Sequence, residues 1–155
     1  MEITAFVISI VSIALAIIST VFSIVTYRQS VIHDRKMHTL EAYNTLQEQV
    51  FDELIKYQPS EIEQIVEDVK SEEYKMLGAY CARIEHFCVG LNEKIYDIDT
   101  FYELAHGFFD SEHGLLLPRI YPVISKKSEN SDIDYYSNFH KVLNDMKDKT
   151  SKKKS

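Results

Sequence analysis

The stretch "CARIEHFC" holds the side chains best suited to chemistry: Cys81, Glu85, His86 and Cys88 within eight residues. On a helix, Cys81, Glu85 and Cys88 stand at i, i+4 and i+7, on one side, with His86 adjacent. Two chemistries fit those residue types. A metal centre would take thiolates and imidazole, but structural zinc sites draw paired ligands at short spacing from two elements, and the chain offers no second pair. A thiol nucleophile could use His86, His106 or His113 as base. It would need an electropositive, partly exposed setting, and this region is acidic. The two cysteines therefore read as small core hydrophobes. In one helix they would lie about 10 Å apart, too far for a disulfide. No catalytic residue, metal ligand or cofactor is assigned.

A second polar cluster lies in "HGFFDSEHG": His106, Asp110, Glu112 and His113 around two glycines. A divalent ion or a proton-sensing histidine is chemically conceivable there. The plainer expectation is a helix end and its exit loop. A glycine-rich phosphate loop with its lysine is absent from the sequence. Arg83 and Glu85, flanking Ile84, are expected to pair within the fold.

The element that organises the chain is its opening. From Ile3 to Tyr27 no side chain is charged. Such a helix measures about 38 Å at 1.5 Å per residue, against a bilayer hydrocarbon core of about 30 Å. A core helix of a soluble domain would carry a polar face; a signal peptide would carry a basic start and a shorter apolar run. Residues 3–27 are therefore predicted to be a single transmembrane helix. Arg28, Arg35 and Lys36 come within ten residues of its end and form the cytoplasmic flank, with Met1 and Glu2 expected outside. Small residues recur at Ala5, Ser9, Ser12, Ala16, Ser19, Ser23 and Thr26, alternating steps of four and three. That stripe predicts self-association, because small residues let helix backbones approach closely in lipid.

Beyond the span the charge is uneven. Residues 59–115 carry thirteen acidic and four basic side chains, within a chain of net charge −7. So acidic a middle argues against nucleic acid as a partner, since phosphate binding needs a basic face. The end of the chain, with Lys147, Lys149, Lys152, Lys153 and Lys154, reads as a basic disordered tail over 147–155. Few glycines and prolines and recurring three–four apolar spacings predict an all-α fold. A juxtamembrane amphipathic helix is expected over 28–58, with Leu40, Tyr43, Leu46, Val50, Leu54 and Tyr57 on one face. A cytoplasmic helical domain is expected over 59–146. Ser60 and Glu63 are expected to cap its first helix, and Ser71 the next. In that next helix Tyr74, Leu77, Cys81, Ile84, Cys88 and Leu91 form the core stripe. Asp97 or Asp99 should start a helix near 100–109. Pro118 and Pro122 mark a short, kinked or ended helix, and a terminal helix should carry Ile133, Tyr136, Phe139, Val142 (or Leu143) and Met146 on one face.

The stretch "RIEHFCVGLNEKIYDIDTFYELAHGFF", with "LLPRIYPVI" and "YYSNFHKVL" after it, resembles a family of uncharacterised bacterial membrane proteins. Glu85, Phe87 and Gly90, then the "IYD" turn of Ile95, Tyr96 and Asp97, carry the resemblance across residues 28–146. It implies one transmembrane helix, a cytoplasmic helical domain and a bacterial inner membrane, and it brings no catalytic residue.

The expected function is that of a non-enzymatic, membrane-anchored interaction module. Its partners would be the lipid bilayer, a second copy of the chain and a protein partner at the cytoplasmic face. The alternative is a membrane-perturbing effector of a toxin or phage-defence system, with Ser9, Ser12, Ser19 and Ser23 facing a pore.

Overall fold

The computed structural model describes residues 2–109, 114–128 and 134–153, with side chains over 6–109, 114–127 and 134–149. Among these residues the structure is all-helical, without strands. Helix α1 spans Glu2–Leu46, followed by a π turn, Gln47–Phe51, and the short α2, Asp52–Ile55. Then come α3 (Pro59–Ile65), α4 (Glu72–Asn92), α5 (Ile98–Phe109), α6 (Leu117–Ser128) and α7 (Ser137–Lys153). The chain divides into two units, Met1–Met37 and His38–Ser155.

In the first unit α1 is the only element, and it is long and apolar enough to cross a membrane. The amphipathic segment expected over 28–58 is the same helix continued without a break to Leu46. No glycine or proline interrupts it before Pro59.

In the second unit α4 packs against α6, α7 and the π turn, α3 against α6, and α5 against α7. The predicted α4 stripe of Tyr74, Leu77, Cys81, Ile84, Cys88 and Leu91 is buried throughout. An aromatic group closes the core around Phe51: Tyr43, Phe108 and Phe109 lie with ring centroids 5.5–6.0 Å from it. Phe101 and Phe139 extend the group. Such pairs add to the burial of the rings themselves.

Polar groups close the helix ends. Ser71 Oγ accepts from Tyr74 N at the start of α4, as its type and position predict. At α3 the expected cap shifts by two residues. Glu61, not Glu63, reaches back and accepts from Gln58 N at 2.6 Å, with Gln58 rather than Ser60 in the capping position. Pro59 causes the shift, because it fits the first helical position, where a missing N–H is no loss. Asp97 starts α5, its carboxylate accepting from Thr100 N and Oγ1 at 2.8 Å. Of the two expected forms of α6, kinked or ended at Pro122, the helix that ends is not the one observed: α6 runs through Pro122 to Ser128. Only the bond to the Pro118 carbonyl, one turn back, is forgone.

The end of α4 is a close backbone fit. Ile95 N and Lys94 N donate to the carbonyls of Gly90 and Leu91, the paired bonds of a Schellman ending. Lys94 takes φ 59°, the left-handed position that glycine ordinarily fills. The chain then folds the Tyr96 ring over Gly90, where an added Cβ would meet the ring at 2.5 Å. Tyr96 stacks on Phe87 at 4.9 Å.

Toward the C-terminus the chain continues α7. The basic tail predicted to be disordered over 147–155 is helical through Lys153 as part of α7. Met146 is buried, and Lys149 pairs with Asp99 of α5 while lying 6.0 Å from the Tyr102 ring centre. These contacts hold the turn around Met146–Lys149 to the core. Ile133 and Lys154 lie outside the described residues.

Two substitutions test the α4 ending by thermal melts of the full chain in detergent. Lys94→Gly relieves the left-handed penalty and should raise stability by about 0.5–1 kcal/mol. Gly90→Ala should lower it by about 1–3 kcal/mol through overpacking. The loss should shrink when Tyr96 is also Ala, so additivity of the two would contradict the clash.

Candidate functional site

The residues singled out by sequence fall into four places. The first is the α1 stripe. Ser9, Ser12, Ala16, Ser19, Ser23 and Thr26 lie on α1 and are exposed, as is every described residue from Phe6 to Asp34. Ala5 lies on the same helix, outside the described side chains. A strict 3.5-residue spacing keeps such positions on one side of a helix, drifting about 20° per heptad. Three hydroxyls near the C-terminal part of the stretch are satisfied internally. Thr20 Oγ1 donates to the Ala16 carbonyl at 2.8 Å, Ser23 Oγ to Ser19 at 2.8 Å and Thr26 Oγ1 to Phe22 at 2.9 Å. A hydroxyl bonded one turn back needs no water, so these positions tolerate an apolar medium.

The flank and the tail come next. Arg28 and Lys36 are exposed on α1 and Arg35 is half-buried. Of the lysines at the other end, Lys147 is exposed and Lys149 is engaged with Asp99. Lys152 and Lys153 lie in the last turn of α7.

The third place is the polar cluster after α5. His106 is exposed, its Nδ1 3.1 Å from the Glu103 carbonyl and its ring 6.0 Å from Tyr102. Asp110, Glu112 and His113 lie outside the described residues.

The fourth is the Cys81–Cys88 segment, which the fold splits by role. Both cysteines are buried. Burial pushes the Cys81 thiol up to about 12, with Lys127 opposing slightly, and raises Cys88 further, Glu85 adding to the effect. Thiols held so far above their ordinary range stay protonated and unreactive. Glu85 points elsewhere, to the start of α7. Its carboxylate accepts from Asn138 N at 3.1 Å, Asn138 Nδ2 at 2.8 Å and Phe139 N at 2.8 Å. A carboxylate there satisfies two orphan amides and complements the helix dipole. Asn92 donates to Asn138 from the same side. Arg83 lies on the outer face and donates to Gln49 Oε1 at 3.2 Å. Among the described residues, no three His, Cys, Asp or Glu side chains gather as a metal set.

Two polar residues that sequence reasoning passed over hold the interior. Thr39 is fully buried, and its Oγ1 accepts from Asp97 N at 2.7 Å, tying α1 to the start of α5. Arg119 is 8% exposed, and its guanidinium donates to the carbonyls of Tyr57 and Leu115. A cation facing the Tyr57 carbonyl just past α2 complements a C-terminal helix end. In sequence Arg119 reads only as an interruption of "LLLPRIYPVI". A lone arginine in an apolar segment was the available signal.

No protein-family model, curated protein or solved structure matches the chain.

The buried thiols and the Glu85 cap can each be measured. With thiols so placed, iodoacetamide at pH 8 should modify the folded protein at least about a hundredfold more slowly than a free cysteine. Rapid labelling of either cysteine without unfolding would contradict the burial. Glu85→Ala leaves the α7 amides without an acceptor and should cost about 1–3 kcal/mol in a denaturant melt. Glu85→Gln, which keeps one acceptor oxygen, should cost less.

Proposed function

We propose that this chain is a membrane-anchored, non-enzymatic interaction module. In this reading the apolar stretch of α1 crosses the cytoplasmic membrane of a bacterium once. The helices after it form a bundle at the cytoplasmic face, and the protein binds or regulates a membrane-resident partner there. The observation that carries the reading is the apolar surface of α1. Thirteen large apolar side chains between Phe6 and Val25 are more than 45% exposed, with nothing among the described residues packed over them. A core helix of a soluble domain would be mostly covered, and this one is not. Arg28, Arg35 and Lys36 support a cytoplasmic location for the chain beyond α1, since basic flanks resist translocation.

The non-enzymatic part of the reading rests on where the polar side chains of the second unit go. Thr39, Glu85 and Arg119 each close a helix end or join two helices, and the two thiols are buried. Tethering then supplies the functional gain, raising the local concentration of the acidic helical surface for partners in the same membrane. The hydroxyls bonded to their own helix carbonyls favour an anchor that packs with another helix over one that lines a water-filled pore. The resemblance to bacterial single-pass proteins agrees with this assignment.

Self-association through the small-residue stripe is tested by disulfide scanning in native membranes. Cysteine at Ser9, Ser12 or Ser19 should form an interchain crosslink on mild oxidation. Cysteine at Ala14 or Val21, on the opposite side, should give at least severalfold less. The buried Cys81 and Cys88 leave the background low. Equal crosslinking at all five positions would remove the stripe from the proposal, and no crosslinking at any would leave the anchor monomeric.

A further inference from the structure

The π turn raises a question of register that the stripe on α1 does not. Residues advance about 100° per position in an α-helix. If the α geometry of α1 simply continued, Thr39, Tyr43, Leu46, Val50 and Leu54 would share a sector about 80° wide, and Phe51 would fall outside it. A π turn takes in one residue more per turn through i→i+5 bonds. Here Asp52 N donates to the Gln47 carbonyl, and Phe51 is turned back into the core beside Val50. Phe51 is fully buried there, against Tyr43, Phe108 and Phe109. The remaining apolar positions are thus served by either register, and the seating of one ring distinguishes the two.

The same turn carries Gln49, whose Oε1 accepts from Arg83 Nη1 at 3.2 Å. That bond bridges a shallow groove between α1 and α4, rimmed by Thr45, Gln49, Arg83 and His86 over Leu46 and Phe87. A change of register by one residue moves Gln49 by about 1.5 Å along the axis and part of a turn around it. A 3.2 Å bond does not survive such a shift.

We propose that Gln47–Phe51 is a two-register latch: with Phe51 seated, the turn is π and Gln49 holds Arg83 across the groove; with Phe51 unseated, it relaxes to α and frees Arg83. The latch would switch the groove between a closed rim and one offering a guanidinium to a carboxylate. Single-turn π insertions are frequent at functional sites. The inference goes beyond the proposed function and does not depend on the membrane reading.

The test is NMR on the full chain in detergent micelles, reading the Cα shifts of residues 47–51, the Asp52 amide and the Arg83 Nε. The latch predicts microsecond-to-millisecond exchange confined to residues 47–52 and Arg83 in the unmodified protein. It also predicts that Phe51→Ala converts the turn to the α pattern, losing the Gln49–Arg83 contact, while Gln49→Ala frees Arg83 and leaves the π pattern intact. Either exchange in the unmodified protein or conversion in Phe51→Ala supports the latch. It is overturned if the unmodified protein shows no such exchange and Phe51→Ala keeps the π pattern around a cavity. Should Phe51→Ala fail to fold, the unmodified protein decides alone.

Discussion

Among the described residues nothing covers the apolar surface of α1, and that constraint governs everything else about this protein. Burying a large apolar side chain is worth about 1.5–3 kcal/mol. Thirteen of them left in water would forgo on the order of 20 kcal/mol, more than the roughly 5–15 kcal/mol that holds a typical domain together. Such a surface needs a medium as apolar as itself. The hydroxyls of Thr20, Ser23 and Thr26, turned onto carbonyls of the same helix, fit that medium too. In the proposed reading the bilayer supplies it, and the stripe of small residues supplies a place for a second helix.

The second unit obeys a different rule. It gathers its core from short helices, and short helices have many unpaired ends for their length. The fold closes them with charges of the matching sign placed far away in sequence. Glu85 sits at the amino end of α7, and Arg119 faces the Tyr57 carbonyl past α2. Thr39 ties α1 to the first turn of α5. Each of these groups reads as reactive in isolation, a half-buried acid, a buried cation and a buried hydroxyl, and each is occupied by backbone. The acidic and cationic side chains of the interior are therefore part of the scaffold.

What could be read from the residues alone was what local spacing encodes. The α4 stripe from Tyr74 to Leu91 and the Ser71 cap depend on neighbours three and four positions away, and both stand as expected. So do the all-helical class and the long apolar opening helix. The cap at Gln58 and Glu61 escaped because Ser60 and Glu63 match the same pattern, and only the preference of Pro59 for the first turn decides between them. Phe51 escaped because the α period excludes it from the stripe, and the π turn that admits it is set by Phe108 and Phe109, more than fifty residues on. Glu85 and Arg119 were visible as charges, but their roles depend on helix ends in distant segments. Lys149 meets Asp99 across fifty residues of sequence, a contact that composition does not hint at.

The central claim, that α1 is held in lipid, is tested most directly by extraction of native membranes with alkaline carbonate. A chain anchored by α1 stays in the membrane pellet and is released only by detergent. Recovery of the intact chain in the carbonate supernatant, or in a high-speed supernatant without detergent, would contradict it.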